Sequence, residues 1–308
     1  MKRLAWLSFW ILGITWGSSF LFIKLSVAEL PTLQVVFIRV FVAGVGLMLY
    51  NLVRGIRMPF TRESIVPLLI LGITNNAIPF VLITWGEHHI DSSVASILQS
   101  SASLFTLVIA HFFFEDERMT PQRIAGMVVG FIGVMVLFGI NFNQGSFSWL
   151  VFLGQLSVVG ASLFYASSIT FSRKVLSRTG SAKIPSTMVA GVSMLSASLV
   201  IGIAMVLSPV FGGDAPLWFS QVSAQTTRSV LILAFYNTLF AYGIFYFIVA
   251  SLGAARASMV TYVVPIVGLV LGVVFNNEPL TRNLIFGSLL IVSGIGIVNL
   301  PKRPTTPA

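Results

Sequence analysis

The chain contains no cysteine and carries little charge. Without cysteine among its 308 residues, it can form neither disulfide bridges nor thiolate metal sites. Charged residues make up 9% of the chain, whereas a soluble domain carries roughly a quarter because its surface faces water. The three histidines, His88, His89 and His111, are too few and too scattered to indicate a metal site. These shortages argue against a soluble globule, and no metal or cofactor is expected.

Long apolar runs are what the sequence has in abundance. Hydrophobic residues make up 56% of the chain, and they fall in runs near the length of about 20 residues that crosses a bilayer as a helix. The runs are continuous rather than alternating, so they predict helices and not the strands of a barrel. The predicted fold class is therefore an all-α membrane protein with ten transmembrane helices. The predicted spans lie near residues 4–27, 32–53, 64–86, 92–114, 121–140, 147–172, 184–207, 229–251, 255–276 and 282–299.

Basic residues outside these spans lie mostly on one side. If the spans alternate in direction, 14 of the 18 lysines and arginines fall on one side, and Arg228 and Arg282 fall on the other. This bias predicts both termini in the cytoplasm, as in a multi-pass protein of a bacterial inner (plasma) membrane. A cleaved signal peptide is the alternative for the first span, but signal peptides have shorter apolar stretches of about 7–15 residues. No nucleic-acid partner is expected, since no recognition module accompanies the net charge of +9.

The second half of the chain repeats the first. Five spans per half is an odd number, so the two halves would enter the membrane from opposite sides. We therefore expect two inverted five-helix repeats, residues 1–143 and 144–308, related by a pseudo-two-fold axis in the membrane plane. Trp16 and Tyr165 open similar segments at an offset of 149 residues. The pairs at a constant offset of 161 residues are Asn76 with Asn237, Trp85 with Tyr246, Glu117 with Glu278, Thr120 with Thr281, Gly126 with Gly287 and Gly133 with Gly294.

Several of these residues resemble a known family. Trp16-Gly-Ser-Ser-Phe with Lys24, Pro31 and Arg39-x-x-x-Ala43 resembles the first repeat of the drug/metabolite transporter superfamily, as does the acidic residue before a Gly-x6-Gly helix in each half. The chain is similar over essentially its whole length to the EamA branch of ten-span bacterial transporters, and within it to YddG-like amino-acid exporters. This resemblance implies a secondary transporter, and not an enzyme, that exports small metabolites, chiefly neutral or aromatic amino acids, by alternating access. A channel-like facilitator and a carrier of nucleotide precursors or drug-like cations are the alternatives.

Substrate-binding residues are expected at mid-depth, where transporter helices are interrupted. Pro79 lacks an N–H for the carbonyl of Asn75, and Pro265 lacks one for the carbonyl of Thr261. Leu104 stands in the first half where Pro265 stands in the second, so no bend is predicted there. Helix–helix contacts are the alternative role for the polar residues. The predicted substrate-binding residues are Trp16, Asn75, Asn76, Pro79, Trp85, Gln99, Ser103, Tyr165, Tyr236, Asn237, Tyr246 and Thr261.

Two basic residues lie inside predicted spans. Lys24 is close to the end of the first span, and Arg39 lies about two helical turns inside the second. A cation inside a membrane is costly and is a functional candidate by default. We predict that both act in a gate or an ion pair, with Glu29 as the candidate partner, or attract a substrate carboxylate. Simple anchoring at the membrane surface is the alternative.

The acidic residues bear on the energy source. All nine lie near span ends, and the chain has no Gly-x4-Gly-Lys-Ser/Thr loop for ATP. Uncoupled, gradient-driven transport is therefore the simpler expectation, with proton coupling through His111 or Glu87 as the alternative. Glycine pairs such as Gly126 and Gly130 predict close helix contacts or a dimer surface. The expected partners are a small-molecule substrate and the lipid bilayer, with the chain acting as a monomer or a homodimer.

Overall fold

The computed structural model describes residues 2–56, 62–117, 119–138, 148–178 and 184–299. Across these residues every regular element is helical. The α-helices are α1 Lys2–Val27, α2 Thr32–Val53, α3 Arg62–Leu71, α4 Ile78–His89, α5 Ser92–Gln99, α6 Ala102–Phe113, α7 Pro121–Phe138, α8 Trp149–Arg178, α9 Ser186–Leu207, α10 Ala224–Ala234, α11 Ala241–Leu252, α12 Ala254–Ser258, α13 Val260–Phe275 and α14 Arg282–Val298.

The predicted apolar runs all form helices. In the described part of the chain, nine helical stretches are long and apolar enough to cross a membrane, and Arg282–Val298 is a shorter apolar helix of 17 residues. The chain is therefore an all-α, multi-pass membrane protein. Two predicted boundaries are wrong by more than a turn. α8 continues past residue 172 to Arg178. α10 begins at Ala224 because the Ser223 side chain caps it, accepting a hydrogen bond from the Thr226 N–H at 3.2 Å.

Two crossing stretches contain a π-helical turn at matching places in the two halves. Gly72–Ala77 joins α3 to α4, and Phe235–Phe240 joins α10 to α11. Each turn contains one of the repeat-related asparagines, Asn76 or Asn237. A π-helical turn widens the helix locally and is frequent at functional sites. The interruption expected near Pro79 is thus present, and its partner in the second half forms without proline.

Two further stretches are broken between helices. The second-half stretch breaks at Met259, between α12 and α13, and Pro265 lies inside α13. The first half breaks as well, although no bend was predicted there. α5 ends at Gln99, and the Ser100 hydroxyl donates to the carbonyl of Ile97 at 2.6 Å. Serine hydroxyls compete with main-chain N–H groups for helix carbonyls, so a serine interrupts the helix here, as a proline would.

Helices from the two halves pack against each other in matching pairs. α1 contacts α10, α11 and α13, and its counterpart α8 contacts α4, α5 and α6. α2 packs against α9, and α7 packs against α14. The largest buried cluster contains residues of both halves, including Phe20, Ile97, Val158 and Leu233. The two halves therefore share one core.

Glycines allow α7 and α14 to approach closely. A Cβ at Gly126 would lie 2.6 Å from the Gly294 carbonyl oxygen, and one at Gly133 would lie 2.8 Å from the Gly287 carbonyl oxygen. These glycine faces therefore pack against each other within one chain. Small residues at such crossings replace the hydrophobic driving force that is missing between helices in lipid.

The Gly294→Ala substitution is expected to lower thermal stability in detergent. Its Cβ would lie 2.5 Å from the Gly126 carbonyl oxygen and 2.7 Å from the Gly130 Cα, and main-chain atoms cannot move aside cheaply. Overpacking of this kind costs about 1–3 kcal/mol. Gly296→Ala on the same helix is the control, since nothing lies within 4 Å of a Cβ there. Equal melting temperatures for the two variants would contradict the prediction.

Candidate substrate-binding site

Arg39 is buried about two turns inside α2, with 8% of its surface exposed. Its Nε donates a hydrogen bond to the Thr238 hydroxyl at 2.9 Å, and its guanidinium carbon lies 4.0 Å from the centre of the Phe80 ring. Within the described residues, its two terminal amino groups have no hydrogen-bond partner, and no acidic side chain forms an ion pair with it. A guanidinium held in this way keeps two donors for a carboxylate.

Aromatic side chains from four helices form a connected group beside this guanidinium. Tyr165 of α8 and Tyr242 of α11 are close enough to interact electrostatically with Arg39. The Trp16 ring of α1 lies 6.3 Å from that of Tyr242, and the Tyr246 ring lies 6.0 Å from that of Tyr242. The Tyr165 ring lies 6.5 Å from Phe80 of α4. We call this group the Arg39 site; it consists of Trp16, Arg39, Phe80, Tyr165, Thr238, Tyr242 and Tyr246.

The two repeat-related asparagines each tie a π-helical turn to a neighbouring helix. The Asn76 amide donates to the Ser193 hydroxyl of α9 at 3.2 Å. The Asn237 amide donates to the Ser18 hydroxyl of α1 at 2.8 Å and to the carbonyl of Thr15. The side-chain oxygens of both asparagines are buried and accept no hydrogen bond from any described residue. Leaving such an acceptor unsatisfied costs about 1–3 kcal/mol, so each oxygen is suited to receive a donor from a ligand or water.

The structure brings part of the predicted site together. Trp16, Tyr165 and Tyr246 lie in the Arg39 site, and Pro79 is buried beside Phe80 at the start of α4. Asn75 lies half-buried in the same π-helical turn as Asn76.

Other predicted residues lie elsewhere. Trp85 contacts His89, with ring centres 4.7 Å apart, near the end of α4. Tyr236 stacks on Phe240 among exposed apolar side chains. Thr261 is exposed and donates to the Ser258 carbonyl at 2.8 Å. Gln99 lies half-buried beside α8, and the Ser103 hydroxyl donates to the Ser100 carbonyl.

Three members of the Arg39 site were not predicted: Phe80, Thr238 and Tyr242. Phe80 and Thr238 directly follow the predicted Pro79 and Asn237. Tyr242 precedes Tyr246 by one helical turn, so the two share a face of α11. A helical-spacing argument around the predicted residues would have found Tyr242.

The candidate ion pairs with Glu29 do not form. The Lys24 ammonium donates instead to the main-chain carbonyls of Glu87 at 2.7 Å and Ile90 at 2.8 Å. Glu29 accepts a hydrogen bond from the Ser223 N–H at 2.6 Å, and this bond lowers the pKa of the Glu29 carboxyl below its usual value. Main-chain groups at helix ends, which a sequence pattern does not reveal, supply these partners.

Further bonds join the same end of the bundle. Gln34 of α2 exchanges two hydrogen bonds with the main chain of Leu217, at 2.6 and 2.8 Å. Glu278, between α13 and α14, accepts bonds from the main-chain N–H groups of Ser92 and Ser93 at the start of α5. Burial raises the pKa of Glu278, but the bonds from Ser93, Ser92 and Asn276 outweigh burial and hold that pKa below its usual value. We call this end of the bundle, together with the bonds that Lys24, Glu29, Gln34 and Glu278 make there, the Glu278 end.

Matches to known proteins agree with this architecture. The EamA-like transporter family matches residues 4–139 and 152–300, which is nearly the whole chain. The chain belongs to the EamA-like transporter family. A family member from Escherichia coli (strain K12), named a probable amino-acid metabolite efflux pump, is 27% identical over 295 residues, covering 92% of this chain and 91% of that protein. An uncharacterized transporter, YoaV, of Bacillus subtilis (strain 168) is 25% identical over 290 residues, covering 92% of this chain and 94% of that protein.

A further relative and a solved structure complete the comparison. The uncharacterized inner membrane transporter YedA of Escherichia coli (strain K12) is 26% identical over 300 residues, covering 94% of this chain and 89% of that protein. A crystal structure with 19% sequence identity matches with a TM-score of 0.65 and covers 97% of each chain. That protein therefore shares the fold. The family and these named relatives are transporters rather than enzymes.

Proposed function

We propose that this protein exports small metabolites, chiefly neutral or aromatic amino acids, from the cytoplasm as a secondary transporter. The observation that carries the proposal is the Arg39 site. A substrate carboxylate can pair with the terminal amino groups of Arg39, and the surrounding rings offer apolar walls for the rest of the molecule. The positive charge of Arg39 disfavours drug-like cations, which were an alternative substrate class. The relative named as an amino-acid metabolite efflux pump supports the same substrate class.

The transport mechanism that fits this arrangement is alternating access by two inverted repeats, residues 1–143 and 144–308. In the crossing of α7 and α14, Gly126 meets Gly294 while Gly133 meets Gly287, so repeat-related glycines exchange partners as a two-fold axis requires. The matched contacts of α1 and α8 with the opposite half follow the same rule. When the halves exchange conformations, a site that was open to one side of the membrane opens to the other.

The Glu278 end is the gate on the periplasmic side in this scheme. The excess of basic residues on the opposite side supports cytoplasmic termini, which places the end of α1 and the start of α2 at the periplasm. Opening the site to the periplasm would then break the bonds that Lys24, Glu29, Gln34 and Glu278 make between helices. Lys24 therefore acts in the gate as a donor to main-chain carbonyls rather than as an ion-pair partner.

The asparagine pair provides the direct test. Liposomes that contain the purified protein and unlabelled amino acid are expected to accumulate radiolabelled neutral or aromatic amino acids by saturable exchange. Asn76→Ala and Asn237→Ala should each raise the half-saturation concentration by about two- to tenfold, since each releases a π-helical turn beside the Arg39 site from the neighbouring helix that holds it. The combined variant should lose exchange at low substrate concentration. Asn299→Ala, at the exposed end of α14, is the matched control.

Two outcomes would change the proposal. If wild-type protein exchanges none of these amino acids, the proposed substrate class is wrong. Flux that rises linearly with concentration and never saturates would favour a channel-like facilitator. A lower melting temperature with unchanged exchange in the asparagine variants would assign both side chains to helix contacts alone.

A further inference from the structure

The Glu87 carboxyl group is buried without a hydrogen-bond partner in the part of the chain that the structure describes. It lies in the last turn of α4 with 0% of its surface exposed, and no described residue donates to either carboxyl oxygen. The Lys24 ammonium is close by, but it donates to the main-chain carbonyls of Glu87 and Ile90. No Lys24 nitrogen lies within ion-pair distance of the Glu87 carboxyl among the described residues. A carboxylate enclosed without donors is costly, so in this conformation the group is suited to hold a proton.

The charges that face Glu87 come from three other elements. Lys24 of α1 and Arg39 of α2 are the positive charges near its carboxyl group, and Glu278, between α13 and α14, is the negative one. Glu278 is itself held as an anion by its four donors, so its charge persists. The neighbouring side chains of Glu87 in the sequence are His88, which is exposed, and His89, which is half-buried against Trp85. No charged donor therefore bonds the Glu87 carboxyl within the described residues.

Glu87 lies on the same helix as Phe80, which belongs to the Arg39 site. Phe80, on which the Arg39 guanidinium stacks, precedes Glu87 by seven residues on α4. Seven residues are about two turns, so both side chains share a face of the helix and lie on the order of 10 Å apart along its axis. Arg39 and Glu87 interact electrostatically. In an α-amino acid the ammonium nitrogen is two bonds from the carboxylate carbon, so a carboxylate that pairs with Arg39 leaves the ammonium group to pair with a second acidic group near the site.

We propose that Glu87 is a second charged binding site, which takes either a proton or the ammonium group of the substrate. The inference rests on the proposed function and narrows its substrate class to zwitterions with a free ammonium group. When the zwitterion binds, the O–H bond of the Glu87 carboxyl breaks, its proton passes to water, and the carboxylate formed pairs with the ammonium. When the substrate leaves on the other side, the carboxylate takes a proton from water there. Export of one zwitterion is thereby linked to the inward movement of one proton.

The test compares each amino acid with the same molecule lacking its ammonium group. The probes are L-phenylalanine with 3-phenylpropanoate, and L-leucine with 4-methylpentanoate, each competing in the exchange assay. Wild-type protein should bind the amino acid at least about tenfold more tightly than its deaminated counterpart, as expected for a charge-assisted bond. Glu87→Gln should bring the two within about twofold of each other, the span of a weak neutral hydrogen bond. Glu115→Gln, an exposed acid between α6 and α7, should behave as wild type.

Two proton measurements accompany this competition. In weakly buffered solution with a pH dye, L-phenylalanine should release a proton on binding to wild-type protein and none on binding to Glu87→Gln. Infrared spectra of the two substrate-free proteins at neutral pH should also be compared. Wild type should show the carbonyl stretch of a protonated carboxyl group, and Glu87→Gln should lack it. Lower pH should weaken L-phenylalanine binding in wild type and leave Glu87→Gln unaffected.

The outcomes separate the two proposals. Equal affinity of wild type for both members of a pair, or equal proton release by both proteins, would overturn the role of Glu87. Absence of the infrared band from wild type would overturn it as well. If wild type binds none of the probes, the proposed function fails, and the infrared band alone then decides whether Glu87 holds a proton.

Discussion

The Arg39→Gln substitution is expected to lower amino-acid transport at least about tenfold at low substrate concentration. A hydrogen bond between a charged donor and a carboxylate contributes about 1.5–3 kcal/mol, and each 1.4 kcal/mol is a factor of ten. Glutamine can still donate one neutral bond, but it lacks the paired donors of the guanidinium and its stacking on Phe80. The half-saturation concentration in the liposome exchange assay is the quantity to measure, with maximal rate recorded beside it.

Arg39→Lys separates charge from shape. Lysine keeps the positive charge but loses the planar fork that matches a carboxylate and the flat face that stacks on an aromatic ring. We therefore expect an intermediate affinity. Arg228→Gln, which removes an exposed arginine from α10, is the control for net charge. An Arg39→Gln protein with wild-type affinity for amino acids would show that the guanidinium does not contact the substrate.

Stability distinguishes binding from folding at this position. Arg39 is a buried cation without an ion-pair partner among the described residues, and a charge of this kind lowers rather than raises stability. Arg39→Gln should therefore melt no lower than wild type in detergent without substrate. Added amino acid should raise the melting temperature of wild type more than that of the variant, since a ligand stabilises the state that it binds.

The helices were predictable because the bilayer permits few alternatives. A run such as Thr32–Val53 must satisfy its main chain internally in lipid, and a helix does this for any apolar sequence. Its boundaries follow from local chemistry, since Pro31 stands just before α2 and Pro185 just before α9. The start of α10 was missed because a serine cap, and not hydropathy, determines it.

Side-chain direction was harder to predict because it depends on the exact turn. Successive residues of an α-helix point about 100° apart, so burial of Asn237 in the bundle places Tyr236 on the exposed face. A π-helical turn shifts this direction further, and no sequence signal marked the turn at Phe235–Phe240. The sequence repeat did pair Asn76 with Asn237, and both are buried in π-helical turns, but the repeat did not predict their partners, because Asn76 bonds Ser193 of α9 and Asn237 bonds Ser18 of α1.

Polar partners across the chain were not predictable at all. Lys24 and Glu29 are five residues apart, which made an ion pair plausible, but each bonds main-chain groups that other helices bring to it. Glu87 was placed near a span end, where water would be expected, and the structure buries it completely. Hydropathy gives the depth of a residue along its helix but does not report what covers it.

Glu278→Ala is expected to have the largest effect on stability. The Glu278 carboxylate accepts the N–H and hydroxyl of Ser92 at 2.9 and 2.7 Å, the N–H of Ser93 at 2.8 Å and the amide of Asn276 at 3.0 Å. It thereby caps α5, since Asp91 at the N-cap makes no side-chain bond there. Alanine would leave two buried N–H groups unpaired, at a combined cost of about 3 kcal/mol or more.

The pH dependence of this loss has a definite sign. Folding lowers the pKa of Glu278 below its ordinary value of 4.5, so its stabilising contribution is complete above pH 4.5 and is lost as the pH falls through the lower pKa of the folded state. The difference in melting temperature between wild type and Glu278→Ala should therefore be full at neutral pH and shrink below pH 4.5. Asp214→Asn, which alters an exposed acid, should show no such change.

Labelling of a buried cysteine distinguishes a role of Glu278 in closing the gate from a role in stability alone. The chain has no cysteine, so Ser96→Cys on α5 introduces a single label site that is buried when the Glu278 end is joined. If these bonds keep the gate shut, adding Glu278→Ala should speed labelling of that cysteine by a membrane-impermeant maleimide at least about tenfold, because a loss of 1.4 kcal/mol already shifts an equilibrium by that factor. The label should react from the side that holds the Glu278 end. A lower melting temperature with unchanged labelling would mean that Glu278 supports the bundle without closing it.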